Sequence, residues 1–155
     1  PPPPPRLDSS AASDVYKRQL MYLDLDDFKP INDARGHSVG DEILKLVADR
    51  LARCVRGEDT VARLGGDEFA IILHEIAHSD DAAAVARKVL GTLSEPLPFG
   101  KDTYRITASV GISIFPDDAK RQDGLLRAAD AAMYRAKESR SGDYEFHGQA
   151  SASRG

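Results

Sequence analysis

The chain has 155 residues, 41% hydrophobic and 30% charged, with a formal net charge of −4, one cysteine and no tryptophan. That length suits one domain able to bury its core without disulfides, and the balance is ordinary for a soluble globular fold. The acidic balance argues against a general nucleic-acid binder. No apolar run is long enough to span a membrane, no secretory leader is visible, and no G-x-x-x-x-G-K-[ST] loop cradles phosphate. The lone Cys54 fits a reduced, cytoplasmic setting.

Residues 1–19 open on a polyproline run and continue as a Ser/Ala-rich stretch without periodicity, which reads as a disordered or artefactual segment outside the domain. Leu20 to Leu25 reads as a buried strand whose end turns acidic. Asp41 to Val55 is periodic, with Leu44, Val47, Leu51 and Cys54 on one face, and Ser38 followed by Asp41 resembles a capping box at its start. Residues 61–73 read as a hairpin, because Gly65-Gly66 between short apolar runs supplies the positive φ that tight turns need. Ser79 to Leu93 predicts a second helix.

Thr103 to Phe115 alternates cleanly and predicts one long, half-buried strand. Asp123 to Ser139 predicts a third helix, and Asp143 to His147 a short last strand. The order is strand, helix, hairpin, helix, strand, helix, strand. It points to an α+β fold: a mainly antiparallel sheet with helices packed on it, spanning residues 20–147 with a flexible tail over 148–155.

Two acidic clusters carry the chemistry. In Asp24-Leu25-Asp26-Asp27, alternation puts Asp24 and Asp26 on one face, and carboxylates closing an apolar strand are costly unless solvated or paired with a cation. Asp67 and Glu68 sit at the hairpin tip. If the tip lies beside the strand end, Asp24 and one of Asp67 or Glu68 can chelate Mg²⁺, which takes a few carboxylates plus substrate phosphates. The competing reading is that these acids only solubilise a turn and a strand end. His37, His74, His78 and His147 match no metal spacing.

The runs Asp24 to His37, Gly40-Asp41, Arg63 to Phe69, Ser109-Val110-Gly111 and Ala129 to Lys137 together resemble the GGDEF-domain family of diguanylate cyclases, over about Leu20 to Phe146. The resemblance implies a fold related to nucleotide cyclase and polymerase palm domains, and condensation of two GTP into cyclic di-GMP with loss of pyrophosphate. It implies Mg²⁺ or Mn²⁺ on Asp24, Asp67 and the Leu25 carbonyl, with Asp67 and Glu68 serving catalysis and Glu68 near the ribose 3′-hydroxyl. Asn32 and Asp41 would read guanine, Lys29 and Lys137 would meet phosphates, and Gly65 and Gly66 would line the substrate. Arg56, Asp59 and Arg87 would form an inhibitory site for cyclic di-GMP, the product. Catalysis would need a homodimer, with a sensory or other domain in a longer parent and neither nucleic acid nor membrane as partner. The alternative is a catalytically silent domain that binds GTP or cyclic di-GMP.

Two departures from the family pattern carry expectations of their own. Residues 1–19 stand where the family has a helix, which predicts an uncovered part of the sheet and lower stability. Arg140 and Ser141 occupy positions where the family usually has glycine and arginine, which predicts a weakened phosphate contact unless Arg140 reaches over.

Overall fold

The computed structural model describes residues 17–139 and 142–148. The expectations for residues 1–16, for Arg140 and Ser141 and for residues 149–155 lie outside the described residues. A five-stranded sheet runs in the order β2-β3-β1-β6-β7, with β1 (Lys17–Asp26), β2 (Thr60–Gly65), β3 (Glu68–Ile76), β6 (Thr107–Phe115) and β7 (Tyr144–Phe146). All pairings are antiparallel except β6 with β7. A separate ribbon pairs β4 (Leu97–Phe99) with β5 (Asp102–Tyr104). Helices α1 (Phe28–Arg35), α2 (His37–Ala52), α3 (Ser79–Leu93) and α4 (Gln122–Ser139) complete the described elements. The fold class is α+β, as expected from the element order.

As the central strand, β1 must be apolar on both faces. Met21, Leu23 and Leu25 join Ile43, Val47, Leu51, Ala86 and Val89 of α2 and α3 in the main core. Leu20 and Tyr22 point the other way, toward α4. The domain boundary expected at residue 20 falls inside β1, which begins at Lys17. α4 lies close on β6 because the facing residues are small: Ser109, Gly111 and Ser113, with the Ser113 hydroxyl donating to the Leu125 carbonyl at 2.8 Å. A side chain at Gly111 would run into the Ala129 and Met133 backbone. Beside α4 the sheet shows an apolar strip over β1, β2 and β3, formed by Leu20, Ala62, Leu64, Ala70 and Ile72 and walled by Leu125 and Leu126.

Three local expectations are corrected. α1 was not foreseen; its Pro30 sits in the first turn, where no backbone N–H is required, so proline does not prevent a helix there. α2 starts at His37, not Asp41. Gly36, at φ 92°, turns the corner between the two helices, no side chain caps α2, and Ser38 lies inside it. Thr103 to Phe115 is not one half-buried strand. Residues 102–104 belong to the β4–β5 ribbon, and β6 is buried on both faces because the core lies on one side and α4 on the other.

Candidate active site

β1 and β3 bring the two acidic clusters together. Asp24 is the register partner of Glu68, and the Leu25 N–H donates to the Asp67 carbonyl oxygen at 3.1 Å. Gly65 pairs with Glu68, leaving Gly66 and Asp67 as the turn; the glycines adopt φ of +148° and +50°, which L side chains rarely do. The Arg63 Nε donates to the Gly66 carbonyl at 2.9 Å and holds the tip. The two acids of the tip take different places. Asp67 stays in the turn, while Glu68 starts β3 and accepts the Tyr22 hydroxyl at 2.8 Å on Oε1.

The electrostatics are those of a crowded acidic site. Burial, then the Asp67 charge, pushes the Asp24 carboxyl up to about 6; Lys137 pulls against this and Glu68 adds to it. Tyr22 is raised to about 12 by burial and by the neighbouring Glu68. Lys137, in the last turn of α4, puts its Nζ 3.0 Å from Asp26 Oδ1 and 3.6 Å from Asp24 Oδ2. Burial alone would lower its pKa. The hydrogen bond to Asp26 and the two nearby negative charges outweigh that and raise it.

Sequence reasoning noted Asp26 only as Asp24's companion and gave Tyr22 no role. Asp26 is buried and accepts four hydrogen bonds: from the Ser109 hydroxyl and Lys137 on Oδ1, and from the Thr107 hydroxyl and the Gly142 N–H on Oδ2. The alternation that pairs Asp26 with Asp24 was the available signal. What it lacked was the chain-distant donors.

The expected guanine-reading residues lie on α1 and α2. Asn32 Nδ2 is 3.1 Å from His37 Nδ1, and a side chain at Gly40 would collide with the Asn32 amide, so Asp41 follows a fixed close approach of the two helices. Asp41 is exposed and, because α2 starts at His37, it lies beyond the first turn; the expected helix-start role is corrected. Lys29 is also exposed, with its ammonium paired to Asp33 at 3.1 Å.

Arg56 and Asp59 line a cleft with Leu73, Glu75 and Val85, but Asp59 is mostly occupied. Its oxygens accept the Arg56 N–H at 3.1 Å and the His74 N–H at 3.2 Å. The Arg56 guanidinium pairs with Glu58 at 3.3 Å and donates to the Glu75 carbonyl at 3.2 Å. Arg87 is not among the cleft-lining residues; it donates to the Tyr144 hydroxyl at 3.2 Å.

Among the described residues, no group of three or more His, Cys, Asp or Glu side chains is placed to hold a metal by itself. The donor set still fits Mg²⁺. Burial and then the Asp67 charge raise Asp24, and a hard cation accepts few carboxylates when phosphates and water complete its shell.

Residues 6–143 match the family model "Diguanylate cyclase, GGDEF domain". The chain is 42% identical over 136 residues to the bifunctional diguanylate cyclase/cyclic di-GMP phosphodiesterase MucR of Pseudomonas aeruginosa, covering 88% of this chain and 20% of that protein. It is 38% identical over 118 residues to the cyclic di-GMP phosphodiesterase NbdA of the same organism, covering 76% of this chain and 15% of that one. The chain thus spans about a fifth or less of the length of these relatives. An X-ray structure of an EAL/GGDEF domain protein from M. capsulatus superposes with a TM-score of 0.81 at 43% identity, covering 85% of each chain. The chain belongs to the GGDEF-domain family of diguanylate cyclases.

Proposed function

We propose that this chain is a diguanylate cyclase domain that condenses two GTP into cyclic di-GMP and releases pyrophosphate. The observation that carries the reading is the meeting of Asp24, Asp67, Glu68 and Lys137 at one end of β1, with Asp24 raised to about 6 by burial and carboxylate crowding. Asp24, Asp67 and the Leu25 carbonyl would hold Mg²⁺ or Mn²⁺, which supplies charge neutralisation to the nucleotide phosphates when bound.

The chain's own residues do the rest. Glu68, oriented by the Tyr22 hydroxyl, takes the proton of a ribose 3′-hydroxyl as that oxygen bonds to the α-phosphorus of the second nucleotide and the bond to pyrophosphate breaks. Lys137 offers its ammonium to phosphate oxygens. Asn32 and Asp41 select guanine, whose N1–H and N2–H donate where adenine presents an acceptor at N1. Gly65 and Gly66 let the backbone approach the substrate. One site holds one reactant, so two subunits must face each other. The reading places the domain in the cytoplasm of a longer protein, and no described helix is long and apolar enough to cross a membrane.

A specific observation favours a second reading, a silent domain that binds GTP or cyclic di-GMP. The similar stretch also occurs in NbdA, whose name gives only phosphodiesterase activity. In that case Arg56 and Asp59 matter most, and Arg87 serves Tyr144 instead. One experiment separates the two. The purified chain, dimerised by a fused coiled coil, is incubated with GTP and Mg²⁺, and cyclic di-GMP and pyrophosphate are quantified. Product in a ratio of one cyclic dinucleotide to two pyrophosphates supports the cyclase. A folded, GTP-binding dimer that makes none leaves the binding reading.

A further inference from the structure

We propose that Asp26 is a positioning residue whose buried carboxylate clamps Lys137 beside Asp24 and so sets where the phosphates of a bound nucleoside triphosphate are held. This rests on the nucleotide-binding reading above. The argument begins with what surrounds Asp26. Thr107 and Ser109 come from β6, Lys137 from the last turn of α4, and Gly142 from the segment after that helix. One carboxylate therefore ties the end of β1 to both sides of the α4 C-terminus.

The distances rank the two partners of the lysine. Its Nζ lies 3.0 Å from Asp26 and 3.6 Å from Asp24, so Asp26 is the tighter anchor and Asp24 the looser one. Asp26 has a side chain only 3% exposed, against 20% for Asp24. A buried carboxylate must be paired or fully hydrogen-bonded, and here two hydroxyls, a backbone N–H and an ammonium share that work. Part of one of its oxygens goes to Lys137, the one ammonium among the described residues that also reaches Asp24.

The donors also make the position intolerant of a neutral amide. The Thr107 and Ser109 hydroxyls can rotate and become acceptors, but the Lys137 ammonium and the Gly142 N–H cannot. Whichever way an asparagine faced here, its NH₂ would meet one donor that cannot reverse. With its nitrogen on the Oδ1 side it would push Lys137 away.

The test is a double-mutant cycle on binding of Mg²⁺-GTP to the full chain, measured by calorimetry. Asp26→Asn and Lys137→Met should each weaken binding about tenfold, the size of one charge-assisted contact, and the double variant should lose no more than either alone. Losses that multiply to about a hundredfold overturn the clamp, because Asp26 would then act without Lys137.

A second arm needs no nucleotide. Acetic anhydride labelling of Lys137, read by mass spectrometry against Lys29, should run several-fold faster in Asp26→Asn; an unchanged Lys137 rate overturns the proposal. Should Asp26→Asn not fold, Ser109→Ala removes one donor from the same oxygen. It should weaken nucleotide binding roughly two- to threefold, an effect that vanishes in the Lys137→Met background; persistence there overturns the clamp. A wild-type chain that binds no Mg²⁺-GTP sinks the nucleotide reading instead, and the labelling arm still decides whether Asp26 holds Lys137.

Discussion

Two regions of this domain are built around an acid, and they treat it in opposite ways. At the end of β1, Asp24 is partly buried beside Asp67 and Glu68, and its carboxyl is pushed up to about 6. In the loop before β2, Asp59 is more deeply buried yet satisfied, with its oxygens taking two backbone N–H donors and Arg56 nearby. The first carboxylate is held against its preference, and the second is held by it. Strain of the first kind is expected where a ligand will arrive, because the fold tolerates a cost that binding later removes. Satisfaction of the second kind makes a loop rigid.

The comparison can be broken most severely at Asp67. Asp67→Ala should abolish cyclic di-GMP synthesis, by at least about a hundredfold, while the chain stays folded. Retained turnover would remove the carboxylate pair from the chemistry. The next largest effect is expected at the satisfied acid. Asp59→Ala should cost about 2 kcal/mol in urea unfolding, because two backbone N–H groups lose a charged acceptor whose side chain is buried; a loss under about 0.5 kcal/mol would show that water replaces it.

At the strained acid the sign reverses. With EDTA present, Asp24→Asn should stabilise the chain by about 1 kcal/mol at pH 7. A carboxyl raised from 3.8 to about 6 carries no penalty below pH 4, where it is neutral in both states. The penalty grows between pH 4 and 6 and is complete above, so the wild type should fall behind the variant across that window. Parallel pH curves would dismiss the strain. The smallest effect is expected at the hydroxyl that orients Glu68. Tyr22→Phe should lower kcat about three- to tenfold with KM for GTP little changed, the mark of a group acting through another.

Much of this contrast was legible in the sequence, for reasons that differ by residue. Gly65 and Gly66 announce a turn because little else adopts their φ, and Ser79 to Leu93 shows a helical period that the structure reproduces at both ends. The meeting of Asp24 with the tip needed the resemblance, since spacing alone does not pair strands separated by α1, α2 and β2. Asp26 illustrates what stayed hidden. Its donors lie 81 to 116 residues away, and no local pattern marks a carboxylate that will be enclosed by them. Helix α1 was missed because Pro30, Asn32 and Asp33 depress local propensity while packing against α2 overrides it. For Asp59 the resemblance implied a ligand contact, and only the folded structure reveals the two backbone groups already using its oxygens.

The central place of β1 also governs how the domain comes into being. β1 leaves the ribosome first among the described strands, yet one of its edges waits for β3 and the other for β6, whose last residue is Phe115. Both edges of an apolar strand stay unpaired until β3 is made, and one of them until β6 is complete, the condition that favours association between chains. The acidic site is completed later still, when Lys137 arrives 111 residues after Asp26. A chain interrupted between the end of β3 and the start of α4 therefore carries the whole acidic turn without Lys137, which pairs with Asp24 and Asp26.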